Sequence, residues 1–193
     1  MKIGVLAIQG DVEEHVSMMS RAMEKNKVSG EVTVVREPCE IESVNALIIP
    51  GGESTVISRL LKAQIPPKMP VFGTCAGLIL LSKKAPDPAV GKEIKNPLGL
   101  MDITVDRNAY GRQRESFEVE IQIPALGKEP FKAVFIRAPV VKQAGKGVSV
   151  LASYKENPVL LHQNNLLAST FHPELTDDLR VHEYFLTHCI KSP

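Results

Sequence analysis

The sequence predicts an α/β protein of three-layer α/β/α form, with a mostly parallel central sheet and antiparallel strands added in the second half. Two observations carry this. In the first half, short runs that are apolar throughout lead through glycine-containing turns into stretches of helical period. Strands without polar alternation suit a sheet covered on both faces, as in parallel α/β architectures. Past about Lys84, strand-like segments follow one another with no helical stretch between them. That succession suits antiparallel neighbours.

Taken in order, the strand candidates of the first half are residues 3–9, 32–36, 46–49 and 71–73, and the helix candidates are 12–25, 55–63 and 76–82. A Pro- and charge-rich connection, KAPDPAVGKEIKNP, follows. The second half offers strands at 103–106, 117–123, 134–136, 148–153, 159–162 and 167–171. A final amphipathic helix over 178–190 turns Leu179, Val181, Tyr184, Phe185 and Leu186 inward.

A chain of 193 residues with 44% hydrophobic and 23% charged residues fits one globular domain spanning 1–193. The net charge of +1 selects no partner, and 5% aromatics without tryptophan argue against nucleic acid. The first apolar stretch is too short for a secretory segment, and no run approaches the roughly 20 apolar residues of a membrane span. A cytoplasmic location and no membrane partner are the expectation. Cys39, Cys75 and Cys189 are scattered singly, without the spacing of a disulfide framework or a zinc site.

In open α/β sheets, ligands bind beyond the carboxyl ends of the strands. The turns to inspect are therefore GD at 10–11, PGGEST at 50–55 and GTCAG at 73–77. GTCAG has the Gly-x-Cys-x-Gly form of a nucleophile elbow, in which a sharp strand-to-helix turn presents the reactive atom. The alternative is an inert core cysteine. A cysteine nucleophile needs a base. His15, His182 and His188 fall in amphipathic helices and read as surface or satisfied structural residues, while His162 has no carboxylate nearby in sequence. His172 follows an apolar strand in STFHPELTDD, and Pro173 keeps that stretch from becoming helical. His172 and Glu174, two apart in an extended chain, can then face the same way. The paired glycines of PGGEST let backbone amides approach a ligand, though Glu53 also suits simple helix capping. Arg107, Arg112 and Arg137 lie in turn-rich segments suited to carboxylate capture. The residues alone thus point to a cysteine hydrolase or acyl-transfer enzyme acting on a small polar substrate.

In the order GVLAIQGD, IIPGGEST, VFGTCAGLILL, RNAYGRQ, SFE, FIRAP and TFHPELTDD, the chain closely resembles the PdxT family, the glutaminase subunits of two-component pyridoxal 5'-phosphate synthase. The likeness runs from the first strand to the last helix, although the connection at 83–97 is somewhat longer than the family pattern. Gly-x-Cys-x-Gly with His-Pro-Glu resembles the wider triad-type (class I) glutamine amidotransferases; QGD, RNAYGRQ and LTDD narrow it to this family. The resemblance implies that Cys75 attacks the side-chain amide of L-glutamine, with His172 moving protons and Glu174 orienting it. It implies an oxyanion site at the amides of Gly52 and Ala76, and a substrate pocket at Gly52, Glu53, Ser54, Arg107, Ile136 and Arg137. It implies no cofactor and no metal. It also implies a partner, a synthase subunit of the PdxS family in a large hetero-oligomer, which receives the ammonia and is faced by the Gln9-Gly10-Asp11 turn. Two rival readings are a thiol hydrolase or peptidase of related fold and a non-catalytic partner-binding subunit.

Overall fold

Strands that are apolar at every position need cover on both faces, and the central sheet provides it. The computed structural model describes residues 1–7, 10–52, 65–87, 92–93, 98–107 and 116–190. Strand β1 (Lys2–Leu6) leads to helix α1 (Val12–Lys25), then β2 (Glu31–Val35), a 3-10 turn (Pro38–Ser43) and β3 (Ala46–Ile49). After the segment 53–64 come β4 (Val71–Thr74), α2 (Ala76–Leu81), β5 (Ser82–Lys84) and a short hairpin of β6 (Pro86–Asp87) with β7 (Lys92–Glu93). The second half adds β8 (Met101–Asp106), β9 (Ser116–Ile121), β10 (Phe131–Ile136), β11 (Val140–Ala144), β12 (Ser149–Tyr154), β13 (Asn157–Gln163) and β14 (Leu166–Ser169). The chain then closes with α3 (Arg180–Tyr184) running into a π-helical segment (Phe185–Ile190).

Among the described residues, the main sheet has the order β12-β13-β14-β4-β3-β1-β2. Its β2-β1-β3-β4-β14 portion is parallel, and β13 and β12 extend it antiparallel. Successive side chains of each strand enter different cores. Ile3, Val5, Ala46, Ile48 and Phe72 pack on one face beneath α1, the C-terminal helix and the β9-β10 hairpin. Leu6, Leu47, Ile49 and Val71 pack on the other, beneath α2 and a small β11-β8-β5 sheet. The outcome is the mostly parallel α/β architecture with antiparallel additions that the sequence predicts.

Helix α1 matches its expected bounds because its buried residues His15, Met18, Met19, Ala22 and Met23 recur at helical spacing. Glu13 and Glu14 in its first turn and Lys25 in its last complement the helix dipole. Helix α2 is only six residues long, too short to persist alone. Burial of Leu78, Leu80 and Leu81 stabilises it by about 1.5–3 kcal/mol each, more than the roughly 1 kcal/mol helix cost of Gly77.

Three differences from the sequence reading have local causes. Strand β11 goes unread because VVKQA has only two adjacent apolar residues; its pairing with β8 makes it a strand. Strand β9 ends at Ile121 rather than 123, since Pro124 starts a 3-10 turn. The last helix begins at Arg180, whose N–H donates to Asp178 Oδ1 at 3.0 Å, and Leu179 is half-buried rather than core. The expected helix at 55–63, with residues 88–91 and 94–97 of the connection, lies outside the described residues.

Close approach of β4, α2 and β3 sets the position of the turn at residue 75. A Cβ on Gly77 would run into the Ile49 carbonyl oxygen, and one on Gly73 would come within 2.6 Å of the Gly77 carbonyl carbon. Gly77→Ala is therefore expected to destabilise the fold by about 1–3 kcal/mol in urea titrations, because the clash is with backbone. Gly147→Ala, whose nearest neighbour would lie 3.8 Å away, serves as the near-neutral control.

Candidate active site

Cys75 stands between β4 and α2 with φ 49° and ψ −102°. A non-glycine residue at positive φ costs of order 1–3 kcal/mol and persists only where its surroundings hold it. Here the Cys75 N–H donates to Ser169 O at 2.8 Å, and its own carbonyl accepts from the Ile79 N–H at 3.3 Å. The thiol is half-buried and points towards Ile136 O, 3.9 Å away.

The strand that anchors Cys75 also delivers the histidine. After Ser169, the Ser169 hydroxyl donates to Phe171 O at 2.7 Å and accepts from the Phe171 N–H at 3.2 Å, turning the chain out of the sheet. The His172 N–H then donates to Val134 O on β10 at 2.8 Å. The stretch is not extended as the sequence reading expects: Pro173, tolerated at the first position of a helical turn, opens a 3-10 turn that brings Glu174 back under the imidazole. His172 Nδ1 donates to Glu174 Oε1 at 2.7 Å, with both side chains buried. Nε2 is buried without a hydrogen bond among the described residues, and the ring lies beside Cys75.

Electrostatics couple these groups. Burial alone would lower the His172 imidazole, but the neighbouring Cys75 sulfur and the Glu174 carboxylate outweigh it and push it up to about 10. Burial would raise the Glu174 carboxyl; His15 and His172 beside it instead hold it well below the usual carboxylate range. The arrangement favours a proton on His172 beside the Cys75 sulfur, the pairing that a cysteine nucleophile and its base would need.

Further loops close on this pair. A Cβ on Gly51 would lie 2.8 Å from His172 Cε1 and 3.6 Å from Cys75 Cβ, so the glycine-rich loop packs directly against both. Gly10, at φ 94°, leans on that loop, since a Cβ there would collide with Gly51 O. Gly52 is exposed with φ 126°, and Ala76 opens α2. Ile136 is half-buried at the thiol; Arg137, exposed with φ 46°, follows it. The Asp106↔Val140 pairing sets Arg107 at the same strand junction. Glu53, Ser54 and Arg112, like Gln9, lie outside the described residues.

Sequence reasoning missed three neighbours. Asp11 Oδ2 lies 3.4 Å from His172 Nδ1, and the candidate ligand atoms of Asp11, His172 and Glu174 lie within 4.8 Å of one another. An Nδ1 that donates to Glu174 has no lone pair for a cation, so the cluster reads as two carboxylates serving one imidazole. His15 and His182 are fully buried beside Glu174. Helical spacing held the signal, because position 15 shares a face with Met18, Met19 and Ala22.

The model of the SNO glutamine amidotransferase family matches residues 5–191. The "Pyridoxal 5'-phosphate synthase subunit PdxT" of Thermotoga petrophila is 51% identical over 195 residues, covering 96% of this chain and 98% of that protein. Its namesake from Sulfolobus acidocaldarius is 44% identical, covering 97% and 98%. A crystal structure described as a glutamine amidotransferase superposes with a TM-score of 0.77 at 40% identity, covering 97% and 98%. At 11% identity, a glutamine amidotransferase from Thermotoga maritima shares the fold, with a TM-score of 0.57 over 97% of this chain and 83% of its own.

Proton linkage predicts the stability profile. The depressed Glu174 carboxyl contributes fully above its ordinary 4.5 and loses that contribution as pH falls below it. The raised His172 contributes fully below 6.5 and loses its contribution as pH climbs towards about 10. Buried His182, held down at about 3, adds to the acid fall from 6.5 downwards, so urea midpoints are expected to be highest near pH 6.5; Glu174→Gln should lessen the acid fall and His172→Gln the alkaline one.

Proposed function

The chain belongs to the SNO glutamine amidotransferase family, and we propose that, as a glutaminase subunit of pyridoxal 5'-phosphate synthase, it hydrolyses L-glutamine through a cysteine thioester. One observation carries the mechanism: Cys75 is held at positive φ in a strand-to-helix elbow, beside a buried His172–Glu174 pair. The whole chain, 1–193, works as one glutaminase domain in the cytoplasm, where its free thiols stay reduced.

The sulfur of Cys75 adds to the amide carbon of glutamine, and the carbonyl π electrons move to oxygen. The amides of Gly52 and Ala76 stabilise that oxyanion, a contribution of roughly 2.7–4 kcal/mol per donor in a comparable hydrolase. His172 gives its Nε2 proton to the leaving nitrogen; the C–N bond breaks and ammonia departs. Water then attacks the glutamyl thioester as His172 takes its proton, the C–S bond breaks, and glutamate leaves. Glu174 holds Nδ1–H throughout and stabilises the imidazolium. Glu53, Ser54, Arg107, Ile136 and Arg137 form the glutamine pocket, with arginine pairing its α-carboxylate.

The ammonia passes to a PdxS-family synthase subunit in a large hetero-oligomer, which makes pyridoxal 5'-phosphate from a pentose phosphate and a triose phosphate. Docking at the Gly10–Asp11 turn orders the glycine loop for oxyanion binding, and contact of Gly10 with Gly51 O supports that route.

Glutamine-dependent ammonia release should rise when the synthase subunit is added, and Cys75→Ala should lower it by at least about a thousandfold. Full activity in that variant overturns the thioester mechanism. No release by wild-type protein with the synthase present would favour a non-catalytic subunit, and cleavage of other amides or thioesters a general thiol hydrolase.

Replacing the loop contact separately tests the docking route. Gly10→Ala, whose added Cβ would collide with Gly51 O, is expected to cut stimulation by the synthase more than the basal rate, measured as the ratio of ammonia release with and without it.

A further inference from the structure

Two fully buried histidines lie behind Glu174, and the proposed chemistry does not use them. His15 Nε2 is 3.4 Å from Glu174 Oε2 and 3.1 Å from Thr74 Oγ1, while His15 Nδ1 is 3.2 Å from His182 Nε2. Both rings pack edge-on against Phe72, at 6.0 Å and 5.7 Å, so one wall of the row is apolar. His182 Nδ1 has no partner among the described residues.

These contacts select one placement of protons. If His15 Nδ1 donated to His182, the neutral His182 would bury an N–H without an acceptor, and His15 Nε2 would turn a lone pair on the carboxylate. In the reverse order, His182 Nε2–H donates to His15 Nδ1, and His15 Nε2–H donates to Thr74 Oγ1 with its positive edge turned to Glu174 Oε2 at 3.4 Å. His182 then leaves only a lone pair unpartnered, the less costly orphan. Burial, with His15 adjacent, lowers His182 to about 3 and keeps it neutral, as this order needs.

We infer that His15 is a positioning residue that acts through the second oxygen of Glu174, with His182 selecting which His15 nitrogen carries the proton. His172 donates to Oε1, while Oε2, without a hydrogen bond among the described residues, faces His15 Nε2 at 3.4 Å, so the buried carboxylate lies between the two imidazoles. The donor also favours the ionised carboxylate. The other titratable or charged groups near the row are Asp11 just before α1, Glu14 on it, Cys75 after β4, Lys132 on β10, and Asp177 and Asp178 beyond Glu174. Of these, Asp11 and Cys75 adjoin His172; Glu14, Lys132 and Asp177 are exposed and screened.

The inference rests on the glutaminase reading, but its test does not depend on turnover. Alkylation of Cys75 by iodoacetamide, resolved by peptide mass spectrometry from the exposed Cys39, is followed against pH in the full chain. In His15→Leu the acid limb should move to higher pH by about one unit, because a Glu174 no longer backed by His15 stabilises the His172 imidazolium beside the reactive sulfur less well. The acid limb of kcat for the complex with synthase should move with it, with KM for glutamine unchanged. His15→Gln, whose amide nitrogen can occupy the Nε2 position, should restore both. His182→Leu should shift both limbs the same way by a smaller amount, and it decides the matter if His15→Leu fails to fold. Unmoved alkylation and rate profiles in a folded variant overturn the inference. A wild-type protein that releases no ammonia from glutamine, yet shows the alkylation shift, overturns the glutaminase reading and leaves His15 in place.

Discussion

The parallel pairing of β14 with β4 is the constraint on which the site depends. Its register, Leu166↔Val71 through Ser169↔Thr74, joins segments almost a hundred residues apart and ends where both candidate reactive groups begin. On one strand the next residue is Cys75, whose N–H is taken by Ser169 O. On the other the chain turns at Ser169 and sets His172 beside the thiol. A slip of one residue in this pair would reverse the faces of β14 and separate the two groups. The strained backbone at Cys75 is tolerated because its neighbours leave it little room: glycines 73 and 77 allow the close crossing, and the buried leucines of α2 hold the helix down.

Burying a carboxylate is costly unless its oxygens are met, and this requirement organises the second layer of the site. Glu174 has His172 on one oxygen and His15 near the other; His15 is itself backed by His182. The charged and polar row therefore crosses from the segment after β14 to α1 and on to α3. Three elements distant in sequence share one electrostatic arrangement, which links the packing of α1 on the sheet to the orientation of the imidazole.

Several parts were legible in the chain itself. The bounds of α1, the whole of β3 and the elbow at 73–77 follow from local composition: a helical stripe, a continuous apolar run, and glycines that flank a small residue. The His172–Glu174 hydrogen bond was expected from an extended chain, but it forms through the 3-10 turn that Pro173 opens. Strand β11 was not legible, since its strand character comes from pairing with β8 rather than from its own side chains. His15 and His182 read as surface or structural residues because a sequence shows that a position lies on a helix's inner face, not what lies opposite it. Their partners, Thr74 and Glu174, come from other elements.

By itself, then, the sequence determined which segments are strands and helices wherever periodicity is strong, and which residue types could form a nucleophile, a base and its carboxylate. Those properties depend on a few neighbouring residues and on rotational preferences of the local backbone. The tertiary structure alone decided that Cys75 and His172 meet at the carboxyl end of two adjacent interior strands, that Asp11 approaches the same imidazole, and that a buried histidine stands behind Glu174. Such relations are fixed by strand register and by packing across the sheet, which no local pattern encodes.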